Sequence, residues 1–435
     1  MSFERPRRLV CQFLSTTLLM MAIWTKTSDC SRIFADDWPQ WRGPMGDGTS
    51  LEKGLPTKWG PSQNVAWKIP LPEPGNSTPI VWQNKVLLTQ PASKQNRRTL
   101  MCLQRSNGAT LWQSGEQWSG ADPTHSTNPL CSSSPVTDGE RVIAWFGSAG
   151  VSCFDLDGKE LWKRDLGIQK HIWGYGTSPI LHGDLCYLYF GPGERSFLIA
   201  LNKRTGETVW QFDDPINTQG TDEAKFTNAD YYGSWSTPIV RSIDGQDQLI
   251  LSLPFQLCGI DLQTGKKIWS SSGINALVYT SPLFSENTLV AMGGYNGMAI
   301  GVRAGGKGDV THSHRLWRHA KTKQRIGSGA IHDGHIYIHN DSGIAECFNL
   351  KTGETVWEHR LSSSQAKGTN WSSVTIADGL CYTINQSGEC FVFRAAPKFE
   401  LVSINSLNEL SNSSIVPNQG QLLIRTHQHL WCIGN

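Results

Sequence analysis

Apolar and polar residues alternate along most of this chain in short runs, and these runs predict β-strands. The runs "GHIYIHN" at Gly334–Asn340 and "AECFNL" at Ala345–Leu350 are two consecutive examples. Alternation over about four to eight residues is the pattern of a strand with one buried face. Glycine, aspartate and asparagine separate the runs, as is typical of tight turns. The pattern therefore predicts an all-β chain of many short strands.

Two phrases recur along the chain and divide it into similar units. The first ends in tryptophan, and its form "TGETVW" occurs identically at Thr205–Trp210 and Thr352–Trp357. Its copies end at Trp112, Trp162, Trp210, Trp269, Trp317 and Trp357. The second phrase consists of two small residues and a proline followed by apolar residues. Its copies begin at Ser77, Ser133, Thr177, Ser236 and Thr280, and degenerate copies begin at Ser328, Ser372 and Ser413.

Each unit holds four strand-like runs within roughly 45 residues, which is the signature of one β-propeller blade. The segment around Trp67 has the tryptophan phrase but no blade before it, whereas the C-terminal unit lacks an outer strand. An N-terminal strand that completes the last blade would close the ring and remove both sheet edges. Counting a degraded copy near Phe399, we predict eight four-stranded antiparallel blades, or seven if the last unit is malformed.

Composition fits this architecture and excludes one class of partner. The chain has 435 residues, of which 43 are glycine and 18 are tryptophan, and only 17% are charged. Its formal net charge of +2 does not require the basic surface on which nucleic-acid binding depends. We therefore expect no nucleic-acid partner.

The N-terminal residues have the features of a secretory signal peptide. Glu4–Arg8 carries positive charge, Leu9–Trp24 is a short apolar stretch, and a cleavage-type sequence, "IFA", follows. We predict a signal peptide over residues 1–35, an N-terminal segment over 36–63 and the propeller domain over 64–435. No second apolar run follows, so we expect an exported protein with no membrane span after cleavage, located in the periplasm, the cell envelope or the extracellular space.

The 11 cysteines do not predict a disulfide framework. Cys102, Cys153 and Cys347 occupy matching positions before the turn glycines of different units. Cys186 and Cys381 match each other in the second strand. Facing sheets lie about 10 Å apart, whereas a disulfide needs Cα atoms within about 7 Å. We expect buried thiols and few or no disulfides.

The repeated phrases resemble a known family. Written as C-[FL]-[DN]-L-x-T-G-x-x-x-W, with S-[ST]-P-[IV] opening each unit, they are similar to the pyrroloquinoline-quinone-type (PQQ-like) repeat of bacterial β-propellers. That repeat occurs in quinoprotein alcohol dehydrogenases and in BamB, an outer-membrane assembly lipoprotein. The resemblance covers about Asn64 to Asn435, and "DWPQWRGPMGDGTS" at Asp37–Ser50 is similar to the N-terminal segment of exported proteins with this repeat. The resemblance implies the fold, but catalytic and non-catalytic members share the repeat.

The site residues of the quinoprotein dehydrogenases are not visible in this sequence. The resemblance implies that such an enzyme uses two adjacent cysteines, calcium held by Glu and Asn, and an Asp base near the quinone. The chain contains no Cys–Cys dipeptide, and no acidic cluster can be assigned to calcium from its spacing. Histidine pairs such as His312 with His314 and His427 with His429 lack a closed ligand set. We therefore assign no catalytic residue and no metal ligand, and expect no cofactor; PQQ with calcium is the alternative.

Candidate ligand-binding residues lie on the loops that lead from one outer strand to the next inner strand. The loops Gln113–Cys131 and Gln211–Trp235 are unusually long, which often indicates function. The candidates are aromatic, amide or charged residues close to the inner strands, namely His171, Trp173, Tyr175, Asp230, Tyr232, Trp235, Tyr279, Arg325, Asn370 and Trp371. In a ring they would converge at one mouth of the channel, where such groups suit sugars or peptides. The alternative is that they fill the channel and pack the loops.

These observations predict a binding protein. We expect an exported, non-catalytic binding or scaffold module with a protein or glycan partner at the propeller face, and BamB-like envelope assembly is one form of this role. The alternative is an enzyme that uses the loops at the channel mouth, either a quinoprotein-type oxidoreductase or a carbohydrate-active enzyme.

Overall fold

The computed structural model describes residues 1–2, 37–214, 231–361 and 368–434. The signal peptide predicted over residues 1–35 therefore lies, apart from its first two residues, outside the described residues. In the described ranges, no helix combines the length and the apolar character that crossing a membrane requires.

The chain forms eight blades around a central channel, each built on a four-stranded antiparallel sheet. From the axis to the rim, the strands of blades 1 to 4 are Ile80–Trp82, Lys85–Ala92, Arg97–Gln104 and Thr110–Gln117; Val136–Thr137, Arg141–Trp145, Val151–Asp155 and Glu160–Arg164; Ile180–His182, Leu185–Phe190, Phe197–Asn202 and Thr208–Asp213; and Ile239–Ile243, Gln246–Leu253, Gln256–Asp261 and Lys267–Ser272. Those of blades 5 to 8 are Leu283–Ser285, Thr288–Met292, Gly297–Arg303 and Arg315–Lys323; Ala330–His332, His335–His339, Ile344–Asn349 and Thr355–Arg360; Thr375–Ala377, Leu380–Ile384, Glu389–Arg394 and Leu401–Ser406; and Val416–Asn418, Gln421–Arg425, His429–Ile433 and Val65–Pro70. The predicted all-β, eight-bladed fold is confirmed.

Short elements complete the described fold. Besides the four strands of each blade, it has the two-residue strands Thr49–Ser50, Gly233–Ser234, Leu277–Val278 and Gly308–Asp309. Its helices are the 3-10 turns Ser93–Gln95 and Gly147–Ala149 and the single α-helical turn Thr311–His314.

The N-terminal strand closes the ring. Val65–Pro70 pairs antiparallel with His429–Ile433, and Trp67 lies opposite Cys432 in that ladder. The first strand of the propeller therefore supplies the outer strand of blade 8, as predicted, and no blade is left with an open gap beside it.

The hydrophobic core lies between neighbouring blades. Within the described residues, each of eight clusters of buried apolar side chains combines residues of two adjacent blades. Between blades 2 and 3, for example, the rings of Trp145 and Phe190 lie 5.6 Å apart. Successive residues of a strand point to opposite faces, so each sheet contributes to two such clusters.

The second repeated phrase forms a closed ring of hydrogen bonds around the axis. The backbone N–H of Thr78 in blade 1 donates to the hydroxyl of Ser134 in blade 2 over 2.9 Å. The same bond repeats from blade to blade until the N–H of Ser414 donates to the hydroxyl of Thr78 over 3.1 Å. The members of this hydroxyl ring are Thr78, Ser134, Ser178, Thr237, Ser281, Ser328, Ser373 and Ser414. Each hydroxyl thus satisfies a buried N–H of the preceding blade.

The tryptophan phrase connects neighbouring blades near the rim. In six blades the indole N–H donates to a backbone carbonyl of the following blade, and the donors are Trp67, Trp112, Trp162, Trp210, Trp317 and Trp357. Blade 4 differs, because Trp269 donates to Gln248 of its own blade over 2.9 Å. There the inserted strand Gly308–Asp309 pairs with the outer strand of blade 4.

The nine cysteines in the described residues are buried and unpaired. Cys102, Cys153 and Cys347 each lie opposite the tryptophan of their own blade, which accounts for their matching positions in the sequence. Burial raises the pKa of these three thiols to about 12. They are therefore protonated near neutral pH and act as small apolar groups.

Residues 37–50, which we call the strap, run from blade 1 to blade 7. Trp38 and Val81 exchange two backbone hydrogen bonds of 3.0 and 2.8 Å. At the other end of the strap, Thr49–Ser50 runs parallel to the inner strand Thr375–Ala377. The strap brings Trp41 to the central channel.

Candidate ligand-binding site

The channel mouth holds a cavity of about 240 Å³ that is lined by all eight blades. Each blade contributes the residue two positions before its member of the hydroxyl ring. These residues are Asn76, Ser132, Gly176, Trp235, Tyr279, Ile326, Trp371 and Asn412. Because the hydroxyl ring fixes the backbone beside each of them, the cavity is built on rigid elements.

One side of the cavity is aromatic. We call its five members, Trp173, Trp235, Tyr279, Tyr295 and Trp371, the aromatic arc. The ring centroids of Trp235 and Tyr279 lie 4.7 Å apart, and those of Tyr279 and Tyr295 lie 5.6 Å apart. Trp173 lies 6.0 Å from Trp235. These distances are typical of packed aromatic pairs, so Trp173, Trp235, Tyr279 and Tyr295 form one continuous aromatic surface.

The opposite side of the cavity carries the amides of Asn76, Asn128 and Asn412, which we call the amide arc. Asn76 and Asn412 both donate to the backbone carbonyl of Thr127, over 2.9 and 2.8 Å. Asn128 donates to the carbonyl of Trp173 over 2.7 Å. The amide arc therefore fixes the loop after blade 1 against both the inner strands and the aromatic arc.

The described lining of the cavity contains no Asp, Glu, Lys or Arg. Asp341 lies behind the aromatic arc, where its Oδ1 accepts a 2.8 Å hydrogen bond from the Trp371 indole. Burial raises the pKa of Asp341 above its ordinary value. Burial, with a smaller contribution from Asp341, raises the pKa of Tyr295 to about 12, so the Tyr295 hydroxyl is protonated and can donate. The described lining therefore combines aromatic rings with uncharged amides and hydroxyls, and it includes the imidazole of His125.

Four of the ten residues predicted from the sequence, Trp173, Trp235, Tyr279 and Trp371, line the cavity. His171 lies directly behind them, with its ring 4.9 Å from the ring of Trp235 in an edge-on contact. The ring closure thus brings together aromatic residues from distant parts of the chain.

Two predicted polar residues are buried in the framework and do not line the cavity. Arg325 and Glu346 are fully buried and form an ion pair of 3.3 Å. Asn370 is also fully buried, and its amide donates to the carbonyl of His339 over 2.8 Å. Both side chains point into the protein because they find buried polar partners in blade 6. They therefore stabilise that blade and do not contribute to the cavity.

Two predicted tyrosines also lie away from the cavity lining. Tyr175 packs against Trp145 at 4.7 Å between blades 2 and 3, and its hydroxyl accepts a hydrogen bond from a backbone N–H. Tyr232 is buried beside Phe255, with the rings 6.1 Å apart. Asp230, the remaining candidate, lies outside the described residues.

The lining residues that sequence reasoning missed include Trp41, Asn76, Asn128, Tyr295 and Asn412. The spacing could have found Asn76 and Asn412, because each stands two positions before a Ser or Thr of the second phrase. Tyr295 lies between the second and third strands of blade 5, and Trp41 lies in the strap. No repeated phrase marks these two positions.

Comparison with known proteins places the chain in a family. The family model described as outer membrane protein assembly factor BamB matches residues 57–174 and 194–434. The chain belongs to this family. The PQQ-like, BamB-like resemblance of the repeats is thereby confirmed. No curated protein sequence matches the chain.

Solved structures similar to this BamB-like chain have different roles. BamB from Moraxella catarrhalis has a TM-score of 0.60 and 12% identity, covering 85% of this chain and 96% of that chain. A europium-containing methanol dehydrogenase has a TM-score of 0.68 and 11% identity, covering 90% and 89%. The quinohemoprotein alcohol dehydrogenase ADHIIG from Pseudomonas putida HK5 has a TM-score of 0.50 and 10% identity, covering 92% and 80%. Identities this low show the fold alone.

The side chains present at the cavity do not fit PQQ with calcium. Calcium takes about six to eight oxygen ligands, chiefly carboxylates, and the described lining contains no carboxylate. The carboxylates of the quinone call for Arg or Lys partners, which the described lining also lacks. In the parts of the chain that the structure describes, no group of three or more His, Cys, Asp or Glu residues could hold a metal ion.

Proposed function

We propose that this BamB-like propeller is a non-catalytic binding module that recognises an uncharged glycan at its channel mouth. The observation that carries the proposal is the pairing of the aromatic arc with an uncharged lining of amides and hydroxyls. Aromatic rings suit the apolar faces of sugar rings, and amides and hydroxyls suit their polar edges. A peptide or protein partner, as in BamB-like envelope assembly, is the competing class.

The side chains that line the cavity favour binding over catalysis. Glycoside hydrolysis commonly uses two carboxylates about 5 to 9.5 Å apart, and no carboxylate is part of the described lining. Asp341 lies behind Trp371, and its Oδ1 accepts a hydrogen bond from the indole N–H of Trp371. Quinone-dependent oxidation is disfavoured by the lack of carboxylate and cationic partners for the cofactor.

We further propose that the protein acts outside the cytoplasm, in the periplasm, the cell envelope or the extracellular space. The signal-type features of residues 1–35 support export. Membership of a family described by outer membrane protein assembly is consistent with that compartment.

A titration with soluble oligosaccharides, followed by tryptophan fluorescence, tests the proposal. We expect Trp173→Ala, Trp235→Ala and Trp371→Ala each to weaken binding about tenfold or more, because buried aromatic anchors dominate binding energies. Trp173→Phe retains a flat ring and should keep most of the affinity. Ile168→Ala is the control, because Ile168 is exposed on the same loop as Trp173 but outside the lining.

The other outcomes are equally informative. Binding of arrayed peptides without binding of sugars would replace the glycan by a protein partner. Wild-type affinity in all three alanine variants would show that the ligand binds elsewhere. A raised melting temperature or dye reduction after adding PQQ and calcium would refute the non-catalytic assignment.

A further inference from the structure

The strap crosses the channel axis. The carbonyl of Pro39 accepts a 2.9 Å hydrogen bond from the N–H of Thr137 in blade 2. Three residues later, the Arg42 guanidinium donates to the carbonyl of Gly329 in blade 6. Blades 2 and 6 are diametrically opposite in a ring of eight. The stretch from Pro39 through the side chain of Arg42 therefore spans the channel.

Trp41 lies at this crossing. It lines the cavity at the mouth, and it also lines a second cavity of about 150 Å³ between the strap and the inner strands of blades 3 and 4. A side chain that borders both spaces is the partition between them. The cavity at the mouth therefore has a floor, and Trp41 is part of it.

The floor is held in place by hydrogen bonds to blades 4 and 6. Arg42 is 3% exposed, and besides Gly329 its guanidinium donates to the carbonyl of Asp47 over 2.5 Å. Burial lowers the pKa of Arg42 to about 10, so the group is still charged at neutral pH. On the next stretch of the strap, the carbonyl of Met45 accepts a 2.9 Å hydrogen bond from Arg241 of blade 4. Withdrawing the strap would leave the buried carbonyl of Gly329 without the Arg42 donor, which is costly.

We infer that the cavity is a blind pocket that accepts the end of a glycan chain, with Trp41 contacting the terminal unit. The inference rests on the proposed function. In a channel open at both ends, an internal segment of a polymer could pass through. A cavity closed at one end can bind only the end of such a chain. Its volume of about 240 Å³ lies below the ~300–1,000 Å³ of most ligand pockets, which suits a chain end.

The number of protein molecules bound per polymer chain tests the inference directly. Neutral polysaccharides matching the oligosaccharides that bind are mixed with excess full-length protein and examined by sedimentation. End recognition predicts at most one protein per chain end at any chain length, and short oligosaccharides of the same sugar that compete fully. Several proteins per chain, increasing in number with polymer length, would overturn the inference.

Variants of the strap provide a second test. Trp41→Ala should weaken oligosaccharide binding about tenfold, and Trp41→Phe should restore most of it. Met45→Ala is the control, because Met45 lies on the strap but lines only the second cavity. Unchanged affinity of Trp41→Ala would remove Trp41 from the site. If Trp371→Ala abolishes binding while many proteins load per polymer, the proposed function stands and blind-pocket recognition fails; if no sugar binds at all, both are refuted.

Discussion

Replacing Gly206 with alanine tests the contact that connects neighbouring blades near the rim. Gly206 lies in the turn of blade 3 with φ of +74°, and an added Cβ would lie 2.6 Å from Cε3 of Trp162 in blade 2. Gly245 is a matched control. Its φ is +76°, and an added Cβ there would have no atom within 4 Å. The backbone cost is therefore the same at both sites, and the difference between the two variants isolates the contact with Trp162.

The expected magnitudes follow from these geometries. A left-handed conformation costs an L-residue about 1–2 kcal/mol, which is the expected loss in the free energy of unfolding for Gly245→Ala. Gly206→Ala carries that cost and a further overpacking cost of about 1–3 kcal/mol. Trp162 cannot move aside without cost, because its indole donates a 2.9 Å hydrogen bond to the carbonyl of Lys203.

Urea unfolding curves of the two variants and the wild-type protein measure both losses, provided that the slopes agree. Repeating Gly206→Ala in a Trp162→Leu background completes a double-mutant cycle, in which the extra cost should largely disappear. Equal losses for Gly206→Ala and Gly245→Ala would refute the reasoning. So would an extra cost that persists without Trp162.

Two further predictions concern buried polar groups. Ser134→Ala removes the acceptor of the Thr78 N–H in the hydroxyl ring and should lower the free energy of unfolding by about 1–3 kcal/mol; Ser134→Thr should restore it, and Ser106→Ala on an exposed turn should change little. Burial raises the pKa of Asp214 to about 6, although Tyr189 donates to it over 2.8 Å. Because this folded-state pKa exceeds the unfolded value, Asp214 favours folding most at acidic pH. About 3 kcal/mol of that contribution is lost as the pH rises from about 4 to about 6. Unfolding midpoints from about pH 4 to pH 8 should therefore fall less in Asp214→Asn than in the wild-type protein, and parallel curves would contradict the assignment.

Repetition is what made the fold predictable from the sequence. One alternating run cannot distinguish a strand in a propeller from a strand in a sandwich, but many copies at a similar spacing can. The unpaired phrase at Trp67 then predicts closure, since the ring needs an outer strand opposite Cys432. The hydroxyl of the second phrase was visible as a small residue. Its hydrogen bond to the next blade was not, because that bond joins residues brought together only by the ring.

The candidate site was predictable only in part, for the same reason. Trp235 and Trp371 were found because large aromatic residues stand out beside the repeated phrase. Arg325 has similar sequence surroundings but turns inward, because its partner Glu346 lies 21 residues away and is fully buried beside it. Trp41 belongs to no repeat, and contacts with distant blades fix its place. Local sequence patterns do not reveal contacts between residues that are distant in the chain.

The structure separates the residues that build this propeller from those that can vary its ligand. The hydroxyl ring uses one hydroxyl and one backbone N–H per blade, and the tryptophan phrase acts near the rim. Neither uses the side chain two positions before the ring, and that position accordingly holds residues as different as Gly176, Ile326 and Trp371. Ligand chemistry can therefore change while the ring stays closed. The similar solved structures, an assembly factor and two dehydrogenases, are each only about a tenth identical to this chain. In this chain, function has to be argued from the eight positions before the hydroxyl ring and from the strap beneath them, because the repeat itself builds the fold and does not specify a ligand.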